Sequence, residues 1–223
     1  MPEAVKHSAS GATLPSAKMV TVVEHPVAQH ALTMLRNKQT PPHQFRTFSN
    51  QLLVALVMEA TRSLPTRAET VAVAGQTELG HVIAKPIVFL AVGRSGLGLA
   101  HRMVEFFPDL LVGTISYDVS ASGQTPDPRL HLSNAPALRD ARVIVFDPIV
   151  ATGASASLAI SLVRRTGASD ISLVSFLVSA PGLNQVQESA PDLRVWAASI
   201  EPKLDARRGP MPGVGDFPAR LFG

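Results

Sequence analysis

Ile87 to Val92 is an unbroken apolar run bounded by Pro86 and Gly93. A run this short, without alternation, reads as a strand buried on both faces, the usual pattern of parallel sheets. Leu97 to Phe107 follows it and reads as a helix. The same order then recurs along the chain. Leu111 to Ser116, Val143 to Phe146, Ile171 to Val178 and Arg194 to Ala198 read as four more strands. Ala156 to Arg165, ended by Gly167, and Leu183 to Ser189 read as helices between them. Strands alternating with helices imply an α/β fold, here an open, mostly parallel five-stranded sheet flanked by helices.

Ahead of the sheet, His25 to Lys38 reads as an amphipathic helix with Pro26 in its first turn, where no N–H is needed. Pro41-Pro42 stops it, and Phe45 to Leu64 is a longer helix. Thr70 to Ala74 and His81 to Ile83 suggest a short hairpin. Residues 1–17 have little periodicity and read as a flexible tail, and 118–136 as a long loop. Long loops in compact domains tend to be functional. From Glu201 onward the chain is rich in Pro and Gly. The expected organisation is a tail at 1–17, a core at 18–200 and a small C-terminal hood at 201–223.

Composition narrows the function. The 223 residues are 46% apolar and 17% charged, which is globular rather than disordered. The longest apolar run, Leu52 to Met58, is too short for a bilayer. Glu3, Lys6 and His7 open the chain with no apolar stretch behind them, so no secretory leader is expected. With no cysteine, thiolate metal sites and cysteine nucleophiles are excluded. The expectation is a soluble cytoplasmic protein. The net charge is +3, with nine Phe, one Trp and one Tyr. Scattered basic residues and few aromatics argue against nucleic acid, and a positive pocket for a polyphosphate accounts for the same charge.

The sharpest motif is Val143-Ile-Val-Phe-Asp-Pro-Ile-Val-Ala-Thr-Gly-Ala-Ser-Ala156. A buried strand ends at Asp147, and a turn of small residues leads into a helix. Asp147 then falls at the carboxyl edge of the sheet, where such folds hold ligands. Ala151, Thr152, Gly153, Ala154 and Ser155 can present backbone N–H groups to a phosphate at the helix N-terminus. Thr152 and Ser155 add hydroxyls, and Asp147 can accept hydrogen bonds from a sugar. The plainer alternative is an ordinary strand-to-helix turn with Thr152 and Ser155 as caps. The segment has neither the Gly-Lys-Ser/Thr of a Walker loop nor the Gly-x-Gly-x-x-Gly of dinucleotide sites. The latter absence disfavours a nucleotide-dependent dehydrogenase. Gly93 to Gly98 makes a second such turn at the same sheet edge. There Arg94 can grip a diphosphate in a bidentate way beside Ser95, and Gly96 lets backbone approach it.

The Asp147 segment resembles the phosphoribosyl-diphosphate (PRPP) binding motif of type I phosphoribosyltransferases. Its Asp-Pro followed by Ala-Thr-Gly resembles the uracil phosphoribosyltransferase family. His25-Pro-Val-Ala-Gln-His, Met58-Glu-Ala-Thr-Arg62, Gly93-Arg-Ser-Gly-Leu-Gly98, Pro212-Gly-Val-Gly-Asp216 and Arg220-Leu-Phe-Gly223 resemble further stretches of that family over most of residues 20–223. The resemblance implies the type I fold, with PRPP held by Arg94, Ser95, Gly96, Asp147 and residues 151–155. Arg94 and Asp147 become the catalytic residues. It implies a hood that reads the base at Pro210, Gly215 and Asp216. It also implies Mg2+ carried with PRPP, met through water by Asp216, and a homodimer. In the family a cis peptide precedes the arginine of the 93–98 loop, which Gly93 can adopt.

The chain departs from the family pattern in three places. Gly209-Pro210 replaces a tyrosine and a residue with an N–H, and proline has none. Tyr117-Asp118 replaces Tyr-Arg, with Arg129 as a substitute cation. Gly153-Ala154 replaces Gly-Gly, so Ala154 must avoid positive φ. The implied reaction is phosphoribosyl transfer from PRPP to a ring nitrogen of uracil or a uracil-like heterocycle. The alternative is a PRPP- or nucleotide-binding regulator without transfer activity. No general base is evident: His25, His30, His101 and His131 read as solvated side chains.

Overall fold

A computed structural model describes residues 19–118, 127–133 and 138–223. The expected tail at 1–17 lies outside the described residues, as does much of the expected loop at 118–136. The strands are β1 (Val20–Val22), β2 (Thr66–Val73), β3 (Gln76–Ile83), β4 (Ile87–Val92), β5 (Leu111–Asp118) and β6 (Asp127–His131). They continue with β7 (Arg142–Phe146), β8 (Ile149–Val150), β9 (Ile171–Ser179), β10 (Arg194–Glu201), β11 (Lys203–Leu204) and β12 (Pro210–Met211). The helices are α1 (Pro26–Arg36), α2 (Pro42–Ala60), α3 (Gly93–Phe106), α4 (Ala154–Arg165), α5 (Ala180–Ser189) and α6 (Phe217–Phe222).

The main sheet runs β1-β10-β9-β7-β4-β5-β6, with β8 also on β9. All its pairings are parallel except β5 with β6. Every residue of β4, β7 and β9 is buried, as continuous apolar runs require when both faces are covered. One face, with Phe89, Ala91 and Phe146, packs against α1, α2, α3 and α6. The other, with Val88, Leu90 and Val145, packs against α4 and α5.

The class is the expected one, but the sheet has eight strands rather than five. The extra strands are short or lie at the edges. β1 has three residues, and β6, Asp-Pro-Arg-Leu-His, has no apolar run. An edge strand buries little and tolerates proline, so it leaves no hydrophobic signature. β6 also makes part of the expected 118–136 loop a strand. The hairpin is longer than expected, turning at Ala74 and Gly75, both of positive φ.

Four helices, α2 to α5, start earlier than their apolar periodicity suggests. α3 opens at Gly93 rather than Leu97, and α5 at Ala180 rather than Leu183. Small or polar first turns hide helix starts from a hydrophobic pattern. α2 similarly begins at Pro42, in its first turn, and ends at Ala60.

The topology creates one crevice. β4 leads through α3 to β5 on one side, while β7 leads through α4 to β9 on the other. The chain therefore departs in opposite directions from two adjacent parallel strands. Ligands of open α/β sheets bind outside the carboxyl ends of strands at such a switch point.

Candidate functional site

Strand register brings the two turns together. Ala91 pairs with Phe146, so Gly93 and Asp147 leave the sheet side by side. Val92 pairs with Ile115, which puts Tyr117 at the same edge. The cleft between them holds about 300 Å3 and is lined by Gly93, Arg94, Ser95, Tyr117, residues 147–153, Ser155, Ala156, Phe217 and Pro218. A larger groove of about 770 Å3 lies against α1, α2 and α3. Its cations Arg62 and Arg102 are paired with Glu59 and Glu105, and at the α1 N-terminus on its rim the His25 side chain caps the Val27 N–H. The smaller cleft is the one with chemistry.

At the β7–α4 turn, Gly153 takes φ 81° and is the N-cap of α4, with no side chain capping it. Ala154 is the first helical residue and avoids positive φ. The N–H groups of Ala154 to Ala156 have no acceptor within the helix. Thr152 Oγ1 reaches only the Ala154 N–H, at 3.5 Å. The dipole and these donors favour an anion in the cleft.

The turn is held from behind. Ile149 and Val150 pair with Leu177 and Val178 as a short parallel extension of the sheet, and the Pro148 carbonyl accepts from the Phe176 N–H at 3.0 Å. Ser179, the N-cap of α5, donates its hydroxyl to the Ala151 carbonyl and accepts from the Gly182 N–H at 2.9 Å. A Cβ on Gly182 would lie 2.3 Å from the Ala151 oxygen, and one on Gly153 would lie 2.4 Å from the Gly182 oxygen. The Ala151 carbonyl thus points into α5. Ser179 and Gly182 escaped the sequence reading because Ala151, which both of them meet, is remote in the chain.

Asp147 is half-buried, deep in the cleft floor. Burial pushes its carboxyl up to about 7, against the opposing N–H of Ile149 at 3.4 Å. It is partly protonated at neutral pH until a ligand donates hydrogen bonds to it. Tyr117 donates to the Ser155 carbonyl at 2.5 Å, bridging β5 to the first turn of α4. Burial, then the charge of Asp147, holds its phenol well above the ordinary value, so it remains a donor. Asp118 pairs with Asp127 through the backbone, and its side chain lies outside the described residues. Arg129 stands opposite Ser116 on β6.

Gly93 has φ 63° and turns the chain into α3, so Arg94 and Ser95 occupy its first turn. The Gly93–Arg94 peptide is trans, contrary to expectation. Among the described residues the cis bond is Met211–Pro212. The turn is made by the positive φ of Gly93 instead. Gly96 faces the sheet and not the cleft. A Cβ there would sit 3.2 Å from the Phe146 oxygen and 3.3 Å from the Ala91 carbonyl carbon, so its smallness lets α3 pack closely. Arg94 is exposed and makes no ion pair among the described residues.

The C-terminal segment folds over this edge. Phe217 and Pro218 reach the cleft, while Pro210, Gly215 and Asp216 lie outside its lining. Asp216 caps α6, accepting from the Ala219 N–H at 3.0 Å. Pro210 lies in the β11–β12 pair opposite Leu204. A buried Glu201 joins this segment to the body. It pairs with Arg36 at 2.6 Å and accepts from the Gly213 N–H at 3.2 Å. Burial pushes its carboxyl up, but the bonds from Arg36, Gly213 and Ser199 outweigh that and hold it below its usual value.

A crevice at a switch point, with an uncapped helix N-terminus, a carboxylate floor and an arginine without an ion pair among the described residues, defines a binder of a sugar phosphate carrying a second anionic group. The family model for uracil phosphoribosyltransferase matches residues 22–223, and the chain belongs to that family. The uracil phosphoribosyltransferase of Caulobacter sp. (strain K31) is 33% identical over 92% of this chain and 98% of its own. That of Dictyoglomus turgidum is 35% identical over 92% and 99%. A solved structure of an Aquifex aeolicus protein superposes with a TM-score of 0.81 at 21% identity, covering 91% of this chain and 97% of its own.

Proposed function

We propose that this chain transfers the phosphoribosyl group of PRPP to a ring nitrogen of uracil or a uracil-like heterocycle, releasing diphosphate and a nucleoside 5'-monophosphate. The observation that carries the reading is the convergence of the α4 N-terminus, Asp147 and Arg94 on one cleft. The 5-phosphate sits on the N–H groups of residues 152–156, and the Asp147 carboxylate accepts from the ribose hydroxyls. Arg94 and Ser95 meet the diphosphate. Nucleophilic displacement at C1 passes through an oxocarbenium-like transition state. The protein contributes orientation and stabilisation of charge on the leaving group, and no protein nucleophile is required.

Among the described residues no three acidic or histidine side chains cluster into a metal cage. That suits Mg2+ bound chiefly by substrate oxygens and water. The ion would stabilise the departing diphosphate. Asp216 remains the proposed contact to its water shell, with one carboxylate oxygen already held by the Ala219 N–H. Gly96 and Ala154 complete the proposed PRPP set as backbone positions. Pro210, Gly215 and Asp216 are the proposed base readers. In this reading residues 18–200 are the core and 201–223 the hood, and the protein acts as a cytoplasmic homodimer. No helix of the described residues is long and apolar enough to cross a membrane.

The test mixes purified protein with PRPP, Mg2+ and a panel of pyrimidines and related heterocycles, and follows diphosphate release. Release with uracil or a close analogue is expected. Tight PRPP binding with no product from any base would overturn the transfer reading in favour of a regulatory one.

A further inference from the structure

Gly98 lies in the second turn of α3 and has no positive φ. A helix-interior glycine costs about 1 kcal/mol against alanine, so its place here has a spatial cause. A Cβ on Gly98 would stand 3.1 Å from two ring carbons of Phe222. The ring rests on the bare patch that the glycine leaves. Arg94, four residues earlier and on the same helix face, lays its guanidinium over that ring, 4.7 Å from its centroid. Phe222 remains 44% exposed, so burial alone does not account for its position.

The tail is pinned just ahead of this ring. Arg220 donates to the carbonyls of Leu35, Val214 and Asn37 and lies 4.3 Å from the Phe45 centroid. Arg46 donates to the Leu221 carbonyl at 3.2 Å, and Leu221 is buried. Phe222 thus projects from a fixed backbone onto the one cleft arginine that has no ion pair among the described residues.

Resting on the proposed PRPP reading, we infer that Phe222 is a positioning residue that holds Arg94 ready for the diphosphate. Stacking occupies the face of the guanidinium and leaves its in-plane N–H donors free for a bidentate grip. It also removes rotamer freedom that binding would otherwise have to remove. The same helix supplies Phe217 and Pro218 to the cleft, so the C-terminal helix is part of the diphosphate site as well as a cover over it.

Calorimetric titration of the full chain with Mg–PRPP, and separately with Mg–diphosphate, tests this. Phe222→Leu should weaken both about two- to fivefold, the range of an exposed cation–π contact, with the melting temperature and the KM for the base unchanged. Phe222→Tyr should bind like the wild type. In an Arg94→Ala background, Phe222→Leu should have no further effect. Unchanged affinity in Phe222→Leu, or an equal loss with Arg94 already removed, would overturn the inference while leaving PRPP binding intact. A wild type that bound neither ligand would remove the PRPP reading and this inference together.

Discussion

Asp147→Asn separates what this carboxyl does for the ligand from what it costs the fold. Burial lifts it from 3.8 to about 7, while an unfolded chain returns it to about 3.9. The folded value is the higher one, so folding takes up a proton between about pH 4 and pH 7. The protonated form's advantage is fully present below about pH 4 and is lost as pH rises towards 7. Each pH unit in that window costs the wild type about 1.4 kcal/mol. The full displacement amounts to at most about 4 kcal/mol, since Asp147 keeps part of its surface in water. Asparagine carries no charge and escapes this cost. Relative to the wild type, the variant should gain about 1.4 kcal/mol per pH unit across the window and then run parallel above it. Urea unfolding of both proteins from about pH 4 to pH 8.5 measures the difference. Stability curves that stay parallel through the window would show that burial does not perturb Asp147, and the reasoning would fail. At neutral pH the same variant should lose PRPP affinity by about ten- to a hundredfold, the worth of a charge-assisted hydrogen bond. A stabilised variant that binds PRPP normally would refute the sugar contact.

Gly182→Ala should destabilise the protein by about 2 kcal/mol or more, as overpacking against backbone does. Its Cβ would stand 2.3 Å from the Ala151 oxygen. It should also weaken PRPP binding by distorting the turn, both read by thermal melts and titration. Glu201→Gln should cost about 2–4 kcal/mol by leaving Arg36 without its buried partner, and should raise the KM for the base more than that for PRPP. Because the Glu201 carboxyl is held below its ordinary value, the stability it contributes is complete above about pH 4.5. It fades as pH falls further, and the wild-type curve minus the variant curve should show that decline. Tyr117→Phe removes the bond to the Ser155 carbonyl. It should raise the PRPP KM about fivefold, near 1 kcal/mol, with kcat little changed. An unaltered KM would show that the β5–α4 bridge does not shape the cleft.

Much of the site was legible in the sequence because its signals are local. The run into Asp147, the small residues after it and Gly93-Arg94 each occupy a few consecutive positions whose spacing implies strand, turn and helix. Gly153 and Ala154 even divide the φ requirement as expected. What escaped is what supports those turns. Ser179 reaches Ala151 across 28 positions, Arg36 reaches Glu201 across 165, and Arg220 reaches Leu35 across 185. No periodicity encodes such pairs. The close approach of Gly96 to the backbones of β4 and β7 escaped for the same reason.

The amino-acid order by itself determined the alternation of buried strands and helices, since continuous apolar runs have few other places to go than a sheet covered on both faces. It also determined the chemistry of the two loops. It put both loops at one sheet edge, and only the tertiary structure decided that they are neighbours there. Pairing β4 with β7, although β5 and β6 lie between them in the chain, sets Arg94 and Asp147 at one crevice. That register follows from burying both faces of the sheet at once, a condition of the whole core that no single segment carries.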